Sequence, residues 1–151
     1  MKNAKKSDWR TIELPRARVT VPLGRQFTPS EMRKIRRGLI PEQMEDKWFV
    51  YWHDNTLFFH RSWTGLCVYA VRFAKEGAGW TMVEAEVNRD PEQCREASTR
   101  LDAGLVSWLI DVLLLGQEAE YPSDGPVDGL QAVKMWSFAG RAMLGERPEG
   151  D

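Results

Sequence analysis

Residues 47–73, KWFVYWHDNTLFFHRSWTGLCVYAVRF, hold three of the seven Trp, four of the six Phe, two of the three Tyr and both His of the chain. Aromatic and β-branched residues at this density suit a pleated, half-buried surface. The stretch reads as the centre of an antiparallel sheet. Residues 47–53 form one strand. Asp54-Asn55 follows, a pair that tolerates the positive φ of a tight hairpin. Residues 56–63 form the second strand, with Thr64-Gly65 as a weaker turn. Residues 66–73 form the third. Gly77-Ala78-Gly79 breaks the chain again, and residues 80–88 form the fourth.

Two-residue turns at 54–55 and 64–65 set the register by counting outward. Val50 then faces Phe59, which faces Ala70, and Trp48 faces Arg61, which faces Val68. These share one face with Trp52, Leu57, Trp63 and Leu66. Phe49, His60 and Tyr69 make a row on the other face, with Tyr51, Phe58 and Val71. A four-residue loop around Gly77–Gly79 puts Val83 and Ala85 on the Val50/Phe59 face. Glu84 and Glu86 then join His60 and Tyr69. A one-residue change in that loop would swap them.

The rest of the chain supplies helices and an edge. Residues 1–10 are expected to be a flexible N-terminus, 11–145 a single α+β domain and 146–151 a flexible tail. Residues 16–21 alternate between Pro15 and Pro22, which suits an edge strand. Thr28-Pro29-Ser30-Glu31 is a helix start: an N-cap, a proline at the first helical position and a capping box. Gly38 and Pro41 end that helix. Asp90-Pro91-Glu92-Gln93 starts a second helix over about 91–115, ended by Gly116. Residues 127–144 read as a third. The expected fold is α+β: an antiparallel four- to five-stranded meander sheet packed against about three helices.

Charge and composition exclude several classes. The 42% hydrophobic content is ordinary for a soluble domain, and no apolar run approaches a membrane span. MKNAKKSDWR has no apolar core, so it does not read as a signal peptide. Cys67 and Cys94 lack metal-ligand spacing and read as reduced thiols of a bacterial-type cytoplasm. Residues 1–37 hold eleven Lys/Arg against three Asp/Glu, a local +8, which leaves −9 on the remainder. A nucleic-acid arm is one meaning of that asymmetry. The preferred one is a basic segment packed on an acidic body or simply solvated.

No phosphate loop, dinucleotide fingerprint, zinc spacing or nucleophile elbow occurs. No catalytic residue, metal or cofactor is therefore assigned. The candidate ligand-binding set is Trp48, His60, Arg61, Ser62, Trp63, Tyr69 and Glu86. A Glu86–Tyr69–His60 row could hold a polar ligand; the structural alternative is a satisfied histidine on a half-exposed face. Arg61 beside Trp48 needs a partner if buried. The options are stacking plus a helix carboxylate, Asp102 or Glu96, or an anion such as phosphate. Arg72 raises the same question nearer a strand end. Trp63 at a hairpin tip is a stacking platform or folds back over the core edge. Phe49, Tyr51, Phe58 and Tyr69 form an apolar patch, covered by the third helix or by a partner or second copy.

Residues 44–51, MEDKWFVY, then 57–65, LFFHRSWTG, and Cys67-Val68-Tyr69 resemble a family of uncharacterised bacterial proteins with a KWF…LYFHRSWTG-CIY pattern. Phe58 stands where that pattern often has Tyr. The resemblance implies a link to ADP-ribose or nucleotide chemistry, since some members occur with ADP-ribosylglycohydrolase-type or macrodomain-type partners. It implies no catalytic residues. The expected function is a small binding or accessory module for a nucleotide-like ligand or a protein partner. The alternatives are an enzyme using His60 and Arg61 on a phosphate-containing substrate, and nucleic-acid binding by the basic N-terminus.

Overall fold

Strands β3 (Trp48–His53), β4 (Thr56–Arg61), β5 (Cys67–Glu76) and β6 (Gly79–Asn88) form a meander at the positions that their aromatic and β-branched content indicates. The structure, a computed structural model, describes residues 2–93 and 99–122. Asp54 and Asn55 take φ of 50° and 58° and close β3 on β4 as a two-residue turn. The β3/β4 register is the one expected, with Trp48 opposite Arg61, Phe49 opposite His60 and Val50 opposite Phe59.

The sheet has six strands, not four or five. Its order is β1-β6-β5-β4-β3, and β2 also pairs with β6. Strands β1 (Arg18–Pro22) and β2 (Gln26–Phe27) both fit because β6 is ten residues long. β1 takes one half of it and β2 the other. Leu23 N–H donates to Val83 O at 2.9 Å and Met82 N–H to Arg25 O at 2.8 Å, which carries the chain along the edge.

The described residues hold two α-helices where about three are expected; residues 127–144, read as the third, lie outside them. Helix α1 (Pro29–Arg37) begins as its sequence dictates. Glu31 N–H donates to Thr28 Oγ1 at 3.1 Å, and Thr28 N–H donates to Glu31 Oε1 at 2.9 Å. Helix α2 (Thr99–Leu109) runs into a π-helical stretch, Ile110–Leu114, and the chain turns at Gly116 with φ 68°. Two ion pairs tie this helix to the sheet side: Arg89 to Asp102, and Arg25 to Asp111 at 2.7 Å.

Both helices cover one sheet face. Met32 and Ile35 of α1 and Val106, Leu109 and Ile110 pack with Trp48, Val50, Leu57, Phe59, Val71, Phe73 and Ala85. Complete burial of each large apolar side chain stabilises the fold by roughly 1.5–3 kcal/mol. The second face is open at the β6 side, where Arg72 pairs with Glu84 at 3.3 Å and Arg18 with Glu86 at 3.1 Å.

The β4/β5 register departs from the expected one. Arg61 N–H donates to Leu66 O and Gly65 N–H to Arg61 O, both at 2.8 Å. Four residues, Ser62–Gly65, therefore span the turn in place of two. Val68 is then left over as a bulge: Phe59 pairs with Tyr69 while His60 pairs with Cys67. Tyr69 and Val71 consequently move to the helix-covered face, and the expected Glu86–Tyr69–His60 row does not form. β5 and β6 close with Glu76 opposite Gly79, a two-residue turn instead of the expected four. Ala85 still faces the core, and Glu86 still faces away from it, opposite Ala70.

Gly38 marks the closest approach between helix and sheet. Its φ is 66°, and a Cβ there would run into the Val50 carbonyl. The contact follows from Leu39, which exchanges two backbone hydrogen bonds with Val50 at 2.9 and 3.0 Å. Gly38→Ala is expected to destabilise the protein by about 2–4 kcal/mol, from left-handed backbone strain plus the collision. Urea unfolding measures this; a loss below about 0.5 kcal/mol, the level of an ordinary surface substitution, would contradict the close approach.

Candidate functional site

Several polar groups of the HRSWTG hairpin, residues 60–65, are bonded to this chain's own backbone. Ser62 is buried, and its Oγ–H donates to Asp46 O at 2.6 Å. Ser62 O accepts from Trp9 Nε1–H at 2.9 Å. Trp63 Nε1–H donates to Met44 O at 2.9 Å. Gly65 O accepts twice, from Ile12 N–H at 2.8 Å and from His60 Nδ1 at 2.9 Å. Gly65 takes φ 85°, with Arg10 O packed where a side chain would start. The hairpin thereby ties together the N-terminal segment, the 44–47 turn and the end of the sheet.

That knot lays residues 2–12 across the second sheet face; residues 1–10 read from sequence as a flexible N-terminus. Ala4 is 3% exposed and donates its N–H to Arg37 O at 2.8 Å. A single 3-10 turn, Lys6–Asp8, follows. The Trp9 ring stacks on Phe49 with centroids 6.2 Å apart. Ala4, Phe49 and Tyr51 form a second core cluster, with Trp9 and Phe58 against it. The aromatic patch expected to meet a third helix, a partner or a second copy is covered in this part by the chain's own N-terminus.

His60 lies beneath this cover, 2% exposed. Its ring stacks on Tyr51 at 5.7 Å and tilts against Phe49 at 6.2 Å. A carbonyl only accepts, so Nδ1 carries the proton and Nε2 is the bare acceptor. Nε2 has no hydrogen-bond partner among the described residues. Burial pulls the imidazole below the usual histidine range; the bond to Gly65 works against that, and the Lys6 charge adds to it. Burial, with Cys67 and Glu13 adding to it, pushes the Tyr51 phenol up to about 12. Both rings are neutral at pH 7.

Above them runs an open groove of about 570 Å³. The N-terminal segment supplies Lys5, Lys6, Ser7, Trp9 and Thr11; β3 supplies Tyr51, Trp52 and His53. β3 is the sheet's edge strand. Val50 spends its outward N–H and C=O on Leu39. By the alternation of an antiparallel ladder, Trp52 is the next residue whose backbone groups point off the edge. Among the described residues, the groove thus joins two ammonium groups, the Ser7, Thr11 and Tyr51 hydroxyls, the Trp9 indole, the His53 imidazole and a strand edge, and no carboxylate lines it.

The seven candidates read from sequence do not converge. Trp48 and Tyr69 stack on each other at 6.1 Å in the helix-covered core, and Arg61 lies over Trp48 at 4.5 Å. Asp102, one expected partner for Arg61, pairs with Arg89; Glu96, the other, lies outside the described residues. His60 and Ser62 are buried on or beside the opposite face. Trp63 is 59% exposed beside Met44, with Lys47 Nζ 4.2 Å above its ring. Glu86 is on β6, one strand in from the far edge, and pairs with Arg18 of β1. His60 and Arg61 point to opposite faces of the sheet, as their alternation in the strand requires.

The groove residues Lys5, Lys6, Ser7, Trp9 and Thr11 went unread. The available signal was Ala4 and Trp9, the apolar positions of an otherwise polar terminus, set against an aromatic sheet face in need of cover. No protein-family model, no curated protein and no solved structure matches the chain. Among the described residues, no cluster of His, Cys, Asp and Glu could hold a metal ion, and no helix is long and apolar enough to cross a membrane.

Ser62→Ala tests the knot. It removes a buried hydroxyl and strands the Asp46 carbonyl, so a loss of about 1–3 kcal/mol is expected in urea unfolding. An unchanged midpoint would show that the hairpin does not depend on that bond.

Proposed function

We propose that the chain is a small binding or accessory module whose ligand is nucleotide-like: an anion carrying a flat ring, held in the groove between the N-terminal segment and β3. The observation that carries this reading is the groove's lining, which offers Lys5 and Lys6 to phosphate and Trp9 to a ring, with no carboxylate among its described lining residues. Its volume of about 570 Å³ falls within the range of small-molecule sites. The Ser7 and Thr11 hydroxyls and the Trp52 backbone edge add groups that could orient a ribose or base. The resemblance of the HRSWTG segment to proteins linked with ADP-ribose chemistry points the same way. In this reading the hairpin does not touch the ligand; it pins the wall that does.

A catalytic role for His60 with Arg61 has less support. The two side chains point to opposite faces, and His60 Nδ1 is already committed to a backbone carbonyl. Protein docking at Trp63 remains the second reading, favoured by the exposed ring beside Met44, which is 76% exposed.

The test is titration of ADP-ribose into the protein at pH 7.5, followed by amide chemical shifts. Shifts should concentrate at residues 5–11 and 51–53. Lys5→Glu with Lys6→Glu should weaken binding by about tenfold or more, as removing two cations from an anion site should. Silence at millimolar ligand, or shifts clustered at Trp63, would refute the groove as the binding site.

A further inference from the structure

The wall of the groove hangs from a histidine that has no place for a second proton. His60 is 2% exposed. Its Nδ1–H and the Ile12 N–H share the Gly65 carbonyl, at 2.9 and 2.8 Å. Its Nε2 meets no acceptor among the described residues. The titratable groups around it come from three elements. Lys6 of the N-terminal turn acts on it with the same sign that an imidazolium would carry. Tyr51 of β3 is a neutral phenol and offers only its ring. Cys67, opposite on β5, is a thiol whose Sγ–H points to Tyr69 O at 3.6 Å. Glu13 acts on Tyr51. A charged His60 would therefore sit desolvated, beside a like charge and with no counter-ion among the described residues.

The cheapest relief is to let water in. The cover over His60 is a single 3-10 turn and its flanks, held by Ala4, Trp9 and Ile12, whereas the sheet beneath is held by full ladders. We infer that protonation of His60 lifts the N-terminal segment off the sheet, which takes down the wall of the groove and releases whatever it holds. The binding consequence rests on the function proposed above; the opening itself does not.

The direction follows from proton linkage. Burial and Lys6 hold the covered imidazole below the ordinary value, so the opened form binds more protons than the closed form. Opening is favoured as the pH falls below the ordinary histidine value, and not above it. With that value near 6.5, the gain at pH 5 is at most about 30-fold.

Hydrogen exchange on the ligand-free full chain reads this directly. Protection of the Ile12 amide and the Trp9 indole N–H, corrected for intrinsic rates, should fall between pH 7.5 and pH 5, by up to about 30-fold. His60→Asn, which keeps an N–H near the Nδ1 position, should abolish the fall. Protection that stays constant in the wild type, or a fall that persists in His60→Asn, would overturn the inference. ADP-ribose supplies the second arm, because its diphosphate diester keeps its charge over this range. Loss of binding at pH 5 together with the fall in protection supports the release. Equal binding at both pH values despite that fall overturns it. Absence of binding at pH 7.5 defeats the groove as a site, while the exchange data still decide the switch.

Discussion

One carbonyl, Gly65 O, receives both the Ile12 amide and the His60 ring, and the second face of the molecule depends on that double acceptance. Gly65 can present the carbonyl there because it lies at φ 85° with Arg10 packed against its Cα, a position where a side chain would be strained and crowded. Trp9 then reaches Ser62 O, and Ala4 reaches Arg37 O. Each bond contributes only about 1 kcal/mol net. Together they hold a segment with little regular structure against an aromatic surface that would otherwise be wet.

The period-2 alternation of β4 gives neighbouring letters of HRSW different work. Arg61 turns to the helix-covered side and lies on Trp48. His60 turns to the other side and becomes part of the N-terminal anchor. Ser62 closes onto the 44–47 turn, and Trp63 is left facing solvent. A segment that reads as a compact functional signature is, in three dimensions, mostly architectural. The groove whose wall it pins is lined by β3 and by residues some fifty positions earlier in the chain.

Much of this was legible in the amino-acid sequence. Asp54-Asn55 marks a two-residue hairpin, and the β3/β4 pairing follows from it by counting. Thr28, Pro29 and Glu31 mark the start of α1, Thr28 and Glu31 through reciprocal hydrogen bonds and Pro29 by its place at the first helical position. The β4/β5 register was not legible, because Thr64-Gly65 only looks like a two-residue turn. The 61–66 closure and the Val68 bulge arise from bonds to Ile12, His60 and Asp46, which are distant or on another face. Tyr69 changed sides as a result, and with it the imagined row through His60. The groove was illegible for a related reason. Its lysines and hydroxyls sit in a polar stretch with no periodicity, and only the tertiary position of Trp9 gives them a place.

The placement of residues 2–12 on the second face is the claim on which the rest turns. Nuclear Overhauser spectra of the protein at pH 7.5 test it most directly. Cross-peaks are expected from the Ala4 methyl and the Trp9 ring to the Phe49 ring, groups that come together only if the segment is seated. Random-coil shifts for residues 2–12, with no cross-peaks to Phe49 or Tyr51, would contradict it, and the groove, its ligand and its acid release would go with it.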